Sequence, residues 1–124
     1  MKTIGLSGGM SFESTVEYYK IINGEVNKRL GNLHSAKMLI ESYDFDEIEK
    51  LQSAENWEVL TEILVKSAQK LENSGADYIA IATNTMHITA PDVQKKINVP
   101  LIHIAQAAGN YIVKNKMHTV ALFG

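Results

Sequence analysis

Cysteine is missing from all 124 residues of this chain. Its absence excludes disulfides and any thiolate metal site. An excess of charge of one sign is missing too, because the formal net charge is −2. A balance that small gives no electrostatic argument for nucleic acid or an anionic membrane as partner. The few basic pairs, Lys28-Arg29 and Lys95-Lys96, read as solvated helix faces. No apolar stretch approaches the roughly 20 residues that a membrane span needs. The opening, Met1-Lys2-Thr3-Ile4-Gly5, has neither the apolar core nor the cleavage site of a secretion signal. The cytoplasm is therefore the expected compartment.

What remains is ordinary globular material, 45% hydrophobic and 21% charged, enough for one domain with a hydrophobic core. Short apolar runs alternate with longer helical patterns. Thr3 to Ser7 reads as a first strand, and Gly8-Gly9-Met10-Ser11 as a turn. A helix is expected from Phe12 to Leu30, with Val16, Tyr19, Ile22, Val26 and Leu30 on one face and Gly31 ending it. Lys37 to Ser42 reads as the second strand. Asp44-Phe45-Asp46-Glu47 has the form of a capping box and opens a short helix to about Leu51. A longer helix is expected from Glu55 to Asn73, burying Trp57, Leu60, Leu64, Ala68 and Leu71. The third strand is Tyr78 to Ala82, followed by a helix from Ala90 to Ile97 with Pro91 in its first turn. Leu101 to Ile104 reads as a fourth strand, Gln106 to Lys114 as a helix and Thr119 to Phe123 as a fifth strand. Repeated strand–helix units imply an α/β fold, an open parallel sheet flanked by helices with right-handed crossovers. The ending, Thr119-Val120-Ala121-Leu122-Phe123-Gly124, has the look of the opening strand running into glycine. The expectation is one domain over residues 1–115, with 116–124 beginning a truncated second one.

Polar clusters that directly follow buried strands mark the edge where open α/β sheets bind ligands. Two stand out. Ser7-Gly8-Gly9-Met10-Ser11 lacks the glycine spacing and the Lys-Ser/Thr of a nucleotide loop. It suits either a carboxylate at a helix start or a tight turn without ligand. Thr83-Asn84-Thr85 offers two hydroxyls and an amide, to a ligand or, for Thr85, to a helix cap. His87 is open to roles as a base or as a structural group. His34 and His103 have no partner at metal spacing, and His118 falls in a turn. Gln52 ends a short helix at the same edge, where it is either simply exposed or in contact with a substrate. Asp44 explains itself as a cap.

The residues Met1 to Thr15, with Ser7-Gly8-Gly9-Met10-Ser11-Phe12-Glu13-Ser14-Thr15 at their centre, resemble the start of the aspartate/glutamate racemase family. So do Leu33-His34-Ser35-Ala36, Ser42-Tyr43-Asp44-Phe45, Gln52, Gly75-Ala76-Asp77, Asn84-Thr85-Met86-His87 and Pro100-Leu101-Ile102-His103-Ile104, in order and spacing. The resemblance implies two similar α/β domains with the active site between them, of which this chain matches the first. It implies racemisation of an acidic amino acid without pyridoxal phosphate or metal. Two acid/base residues, usually cysteines, face opposite sides of the substrate. In the subgroup this chain is similar to, the motif reads Cys-Thr-Asn-Thr-Met-His. The acid/base position then falls on Thr83, and the neighbouring cysteine is replaced by Ala82. In a register shifted by one, Ala82 itself occupies that position and this half is dead. By the same resemblance, Met10 and Ser11 belong to the substrate cradle, Gln52 contacts substrate, and Asn84 and Thr85 bind a carboxylate.

Two readings follow. One is an aspartate/glutamate racemase of which this chain supplies one half of the site. The other is a catalytically inactive domain that at most binds an amino acid or a partner. A nucleotide-binding module fits the topology but lacks the loop. A homodimer is expected from the half-interface such a chain exposes.

Overall fold

A computed structural model describes residues 1–122. It contains a parallel sheet of four strands, β1 (Thr3–Gly8), β2 (Lys37–Ser42), β3 (Tyr78–Ile81) and β4 (Leu101–Ile102), in the order β2-β1-β3-β4. Thr3 pairs with Lys37 at one end of β1 and Gly8 with Ser42 at the other. On its other side β1 pairs with β3, from Ile4–Tyr78 to Ser7–Ile81. The helices are α1 (Phe12–Leu30), α2 (Phe45–Ser53), α3 (Trp57–Asn73), α4 (Ala90–Gln94) and α5 (Ile104–Lys114), with a 3₁₀ turn over Thr85–Thr89.

Alternation along β3 divides the core into two layers. Ile79 and Ile81 point to one face, where they meet Leu60, Leu64, Ala68 and Leu71 of α3 and Met86, Ala90 and Val93 beyond β3. Each such fully buried Leu or Ile contributes about 1.5–3 kcal/mol, so this face carries most of the stability. Ala80 and Ala82 point to the other face, with Leu6, Tyr18 and Met38. That second layer is thin. An apolar groove of about 640 Å³ runs along it, floored by Ile4, Ala80 and Ile102 and walled by Tyr18, Ile21 and Ile22 of α1. Helix α5 contributes no buried residue at all.

Local chemistry sets the boundaries. Asp44 Oδ1 accepts from the Asp46 N–H at 3.1 Å and opens α2. Gly31 ends α1 at φ +73°, a conformation that favours glycine. Asp77 ties down the amino-terminal edge of the sheet. Its Oδ2 accepts from the Thr3 N–H at 2.7 Å and its Oδ1 from Lys2 Nζ at 3.0 Å. The Thr3 N–H, and then Lys2, hold its carboxyl below the usual range. A depressed pKa adds stability that is full above the unfolded value of about 3.9 and lost as pH falls through the folded value. The advantage of the native protein over Asp77→Ala in urea unfolding is therefore expected to be constant near neutrality and to shrink below about pH 4. A gap that stays constant into strong acid removes the charged form of Asp77 from the account.

Four expectations are corrected. The inward face of α1 is Thr15, Tyr18, Ile22 and Val26, whereas Val16, Tyr19 and Leu30 are exposed. The Thr15 hydroxyl accepts from the Gly9 N–H at 2.8 Å, and that bond sets the rotation of the helix. The chain after β3 enters a 3₁₀ turn before α4, and α4 ends at Gln94. Strand β4 is only two residues long, because His103 already caps α5, accepting from the Ala105 N–H at 3.2 Å. The fifth strand does not form over 119–122, which has no regular structure, and Phe123 lies outside the described residues.

Candidate functional site

In a parallel sheet every strand delivers its carboxyl end to the same edge. Here that edge gathers Gly8–Ser11 after β1, Ser42–Tyr43 after β2, Thr83–Thr85 after β3 and His103 after β4. Two main-chain bonds join these loops: Ala82 N donates to Ser7 O at 2.8 Å and Tyr43 N to Gly8 O at 3.0 Å. The chain leaving β1 enters α1 on the thin layer, whereas the chain leaving β3 packs Met86 and Ala90 into the thick one. Adjacent strands whose connections depart to opposite faces open a crevice between them, the usual ligand position in such sheets.

The first loop is built without spare room. Gly9 has φ +81°, and a Cβ there meets the Tyr43 main chain and Ser42 Oγ. At Gly8 a Cβ meets Thr15 Oγ1. Ser7 Oγ lies 3.1 Å from Ser67 Oγ in α3, both fully buried. Burial, chiefly, holds the nearby Tyr43 hydroxyl above the usual phenol range, against hydrogen bonds with Ser67 and Ser7. This serine pair anchors the loop from beneath.

The candidate residues divide by what their side chains touch. Ala82 is fully buried, packed with Leu6 and Ala80, whereas Thr83 is partly open. Accessibility at this step of the chain therefore begins with Thr83. Asn84 and Thr85 are exposed. Asn84, not Thr85, takes the cap position of the 3₁₀ turn, and its side chain makes no capping bond. Gln52 Nε2 reaches Met86 Sδ at 3.1 Å, which brings the end of α2 over the loop after β3. Ser11 is half-buried at the start of α1, and a hydrogen bond from it holds the Glu13 carboxyl below its usual range. Met10 is different. Its side chain is buried in the thick core layer, so only its main chain is left to line the crevice. Neither Gly8–Ser11 nor Thr83–His87 contains Lys or Arg, so these loops offer a carboxylate neutral donors only.

His87 is the residue whose place the sequence left open. It is 6% exposed. Its Nδ1 lies 2.7 Å from Thr83 O, and its Nε2 accepts from the Ile104 N–H at 3.2 Å. Burial pushes the imidazole below its ordinary range, opposed by the Thr83 carbonyl and reinforced by His103. Ser67 was a further omission. Its signal lay in the spacing, since it occupies a stripe position between Leu64 and Leu71. Among the described residues no group of three His, Asp or Glu is disposed to hold a metal. Nor is any described helix long and apolar enough to cross a membrane.

An open parallel sheet with a polar crevice at the β1–β3 divergence defines a class of small-ligand α/β domains. The family model described as Asp/Glu/hydantoin racemase matches residues 8–124, and the chain belongs to that family. Over 43 residues it is 37% identical to the broad specificity amino-acid racemase RacX of Bacillus subtilis, a match covering 35% of this chain and 19% of that protein. A candidate Asp/Glu racemase from Yersinia pestis, solved by crystallography, superposes with TM-score 0.90 at 45% identity, covering 94% of this chain and 50% of that one. An aspartate racemase homologue from Pyrococcus horikoshii gives TM-score 0.80 at 37% identity, covering 93% and 50%. The chain thus spans half the length of these two relatives.

Proposed function

We propose that this chain supplies one face of a two-base site for cofactor-independent racemisation of an acidic amino acid, aspartate or glutamate. The observation that carries this reading is the step from buried Ala82 to accessible Thr83, followed by exposed, uncapped Asn84 and Thr85, at the β1–β3 crevice. Asn84 and Thr85 bind the α-carboxylate, with the main chain of Met10 and Ser11 across the crevice. Gln52 approaches the substrate from α2. Thr83 exchanges a proton with one face of Cα. A second acid/base group, from a part of the protein beyond this chain, serves the opposite face. One group takes the α-proton, the other returns a proton, and the product is the mirror image with no net change in atoms.

A threonine hydroxyl is a far weaker base than a thiolate, whose parent thiol has a pKa of about 8.5. Thr83 therefore serves best in delivering a proton, so kcat and KM differ between the enantiomers while their ratio stays equal. The lack of Lys and Arg in both loops leaves the side-chain carboxylate to be held by the other half, so aspartate and glutamate are chosen there.

The test is α-deuterium incorporation in D₂O and interconversion of the enantiomers by the protein carrying both acid/base groups, with L- and D-aspartate and L- and D-glutamate. Deuterium incorporation is expected, with interconversion of the enantiomers that depends on Thr83. Zero cysteines favour a second reading, a domain that binds the amino acid without turning it over. Saturable binding with no exchange decides for that reading and against the first.

The exposed apolar residues Phe12, Tyr19 and Ile21 of α1 and Tyr111 and Val113 of α5 support a homodimer. Light scattering at micromolar concentration is expected to give twice the mass of the chain. A monodisperse monomer rejects the dimer.

A further inference from the structure

We propose that His87 is a positioning residue, a clamp that ties the Thr83 main chain to the first turn of α5 and thereby fixes the rotamer of the Thr83 side chain. The role for that rotamer rests on Thr83 being the acid/base group, whereas the clamp itself does not.

The geometry allows one proton arrangement. The Ile104 N–H can only donate, so Nε2 must offer its lone pair. The Thr83 carbonyl can only accept, so Nδ1 must carry the hydrogen. The other neutral tautomer sets N–H against N–H on one side and lone pair against lone pair on the other. The imidazolium keeps the Thr83 bond and breaks the Ile104 bond. It also places positive charge against the amino end of α5, where the helix dipole is already positive.

His103 completes the arrangement. It caps the same turn through Ala105, and its ring meets His87 edge-on at 4.8 Å between centroids. Two consecutive amides at the start of α5 are thus held by two imidazoles. His103 is the one titratable side chain among the described residues that acts on His87. Because no residue of α5 is fully buried, these polar contacts are a large part of what docks its first turn. Acidification therefore frees α5 from the loop that carries Thr83.

The test uses the full chain labelled with ¹⁵N and ¹³C. Long-range ¹H–¹⁵N spectra are expected to show His87 as the Nδ1–H tautomer, titrating below the ordinary histidine value of about 6.5. Ile104 amide protection falls about five- to tenfold as His87 protonates, the worth of one such hydrogen bond. The coupling constants of Thr83 report a single χ1 rotamer in the native chain and rotamer averaging in His87→Gln, whose side chain reaches the Ile104 amide but not the Thr83 carbonyl. His87→Asn, which reaches Thr83 but not Ile104, restores the single rotamer and loses the Ile104 protection. An Nε2–H tautomer overturns the proposal. So does a Thr83 rotamer unchanged in His87→Gln. None of these readouts requires turnover, so absence of racemisation by the protein carrying both acid/base groups counts against the acid/base reading and leaves the clamp to be decided by the spectra.

Discussion

Thr83→Ala is expected to lower interconversion of the enantiomers by about 10²–10⁴-fold in the protein carrying both acid/base groups, the usual contribution of a positioned acid or base. Binding of the amino acid should change little, because the carboxylate contacts assigned to Asn84 and Thr85 remain. The fold should also survive. Thr83 is partly exposed, and its one bond in the clamp uses the main-chain carbonyl, which alanine retains. Parallel measurements of interconversion rate, dissociation constant and thermal midpoint separate these effects. Interconversion left within a factor of two removes Thr83 from the chemistry. A collapse of binding together with interconversion makes it a substrate contact instead. Ala82→Cys is the complementary case. The side chain at 82 lies fully buried with Leu6 and Ala80, so restoring a thiol there is expected to add no exchange.

Gly9→Ala is expected to destabilise the domain by about 2–5 kcal/mol, combining the cost of a left-handed non-glycine residue with that of overpacking. The added methyl meets the Tyr43 main chain and Ser42 Oγ, and φ at this position is +81°. Ser42 Oγ can rotate away, but the Tyr43 main chain cannot. Against a typical domain stability of about 5–15 kcal/mol, a loss of that size is visible in any denaturant titration. Gly24→Ala is the matched control. A Cβ at Gly24 meets nothing within 4 Å, and the site is interior to α1, so the change should stabilise by about 0.5–1 kcal/mol. Equal effects at the two positions contradict the steric account of the first loop.

Helix α1 was legible to the residue, because a glycine loop precedes it and Gly31 stops it. Its orientation was not. Apolar residues at spacings of three and four define several overlapping faces, and the choice fell to Thr15, a polar residue whose partner is a loop amide. The strands were readable where apolar runs cross the sheet centre, as in β1 and β3. Thr119 to Leu122 has the same composition, but a strand exists only with a neighbour to pair with, and composition carries no such information.

The site shows the same division. That Thr83, Asn84 and Thr85 follow a buried strand is sequence knowledge. That Gln52 leans onto Met86, that Met10 turns into the core, and that Ser67 supports Ser7 across 60 residues are tertiary facts. His87 was undecidable from its neighbours in the chain, since its second partner is the amide of Ile104, 17 residues away.

The sheet order also has a consequence for biogenesis. Strand β1 is made first, yet it occupies the middle of the sheet between β2 and β3. Its bond to Asp77 spans 74 residues. At about 5–20 residues per second of synthesis, Leu6 and its neighbours wait seconds for the strand that buries them. During that interval a nascent β1–β2 pair presents an open edge to solvent or to chaperones. Folding should therefore be slower than for a helical bundle of this length, since distant parallel strands must meet before contacts repay loop closure. Mutations in β3 should then slow folding, whereas those in α5, which has no fully buried residue, should leave the rate unchanged.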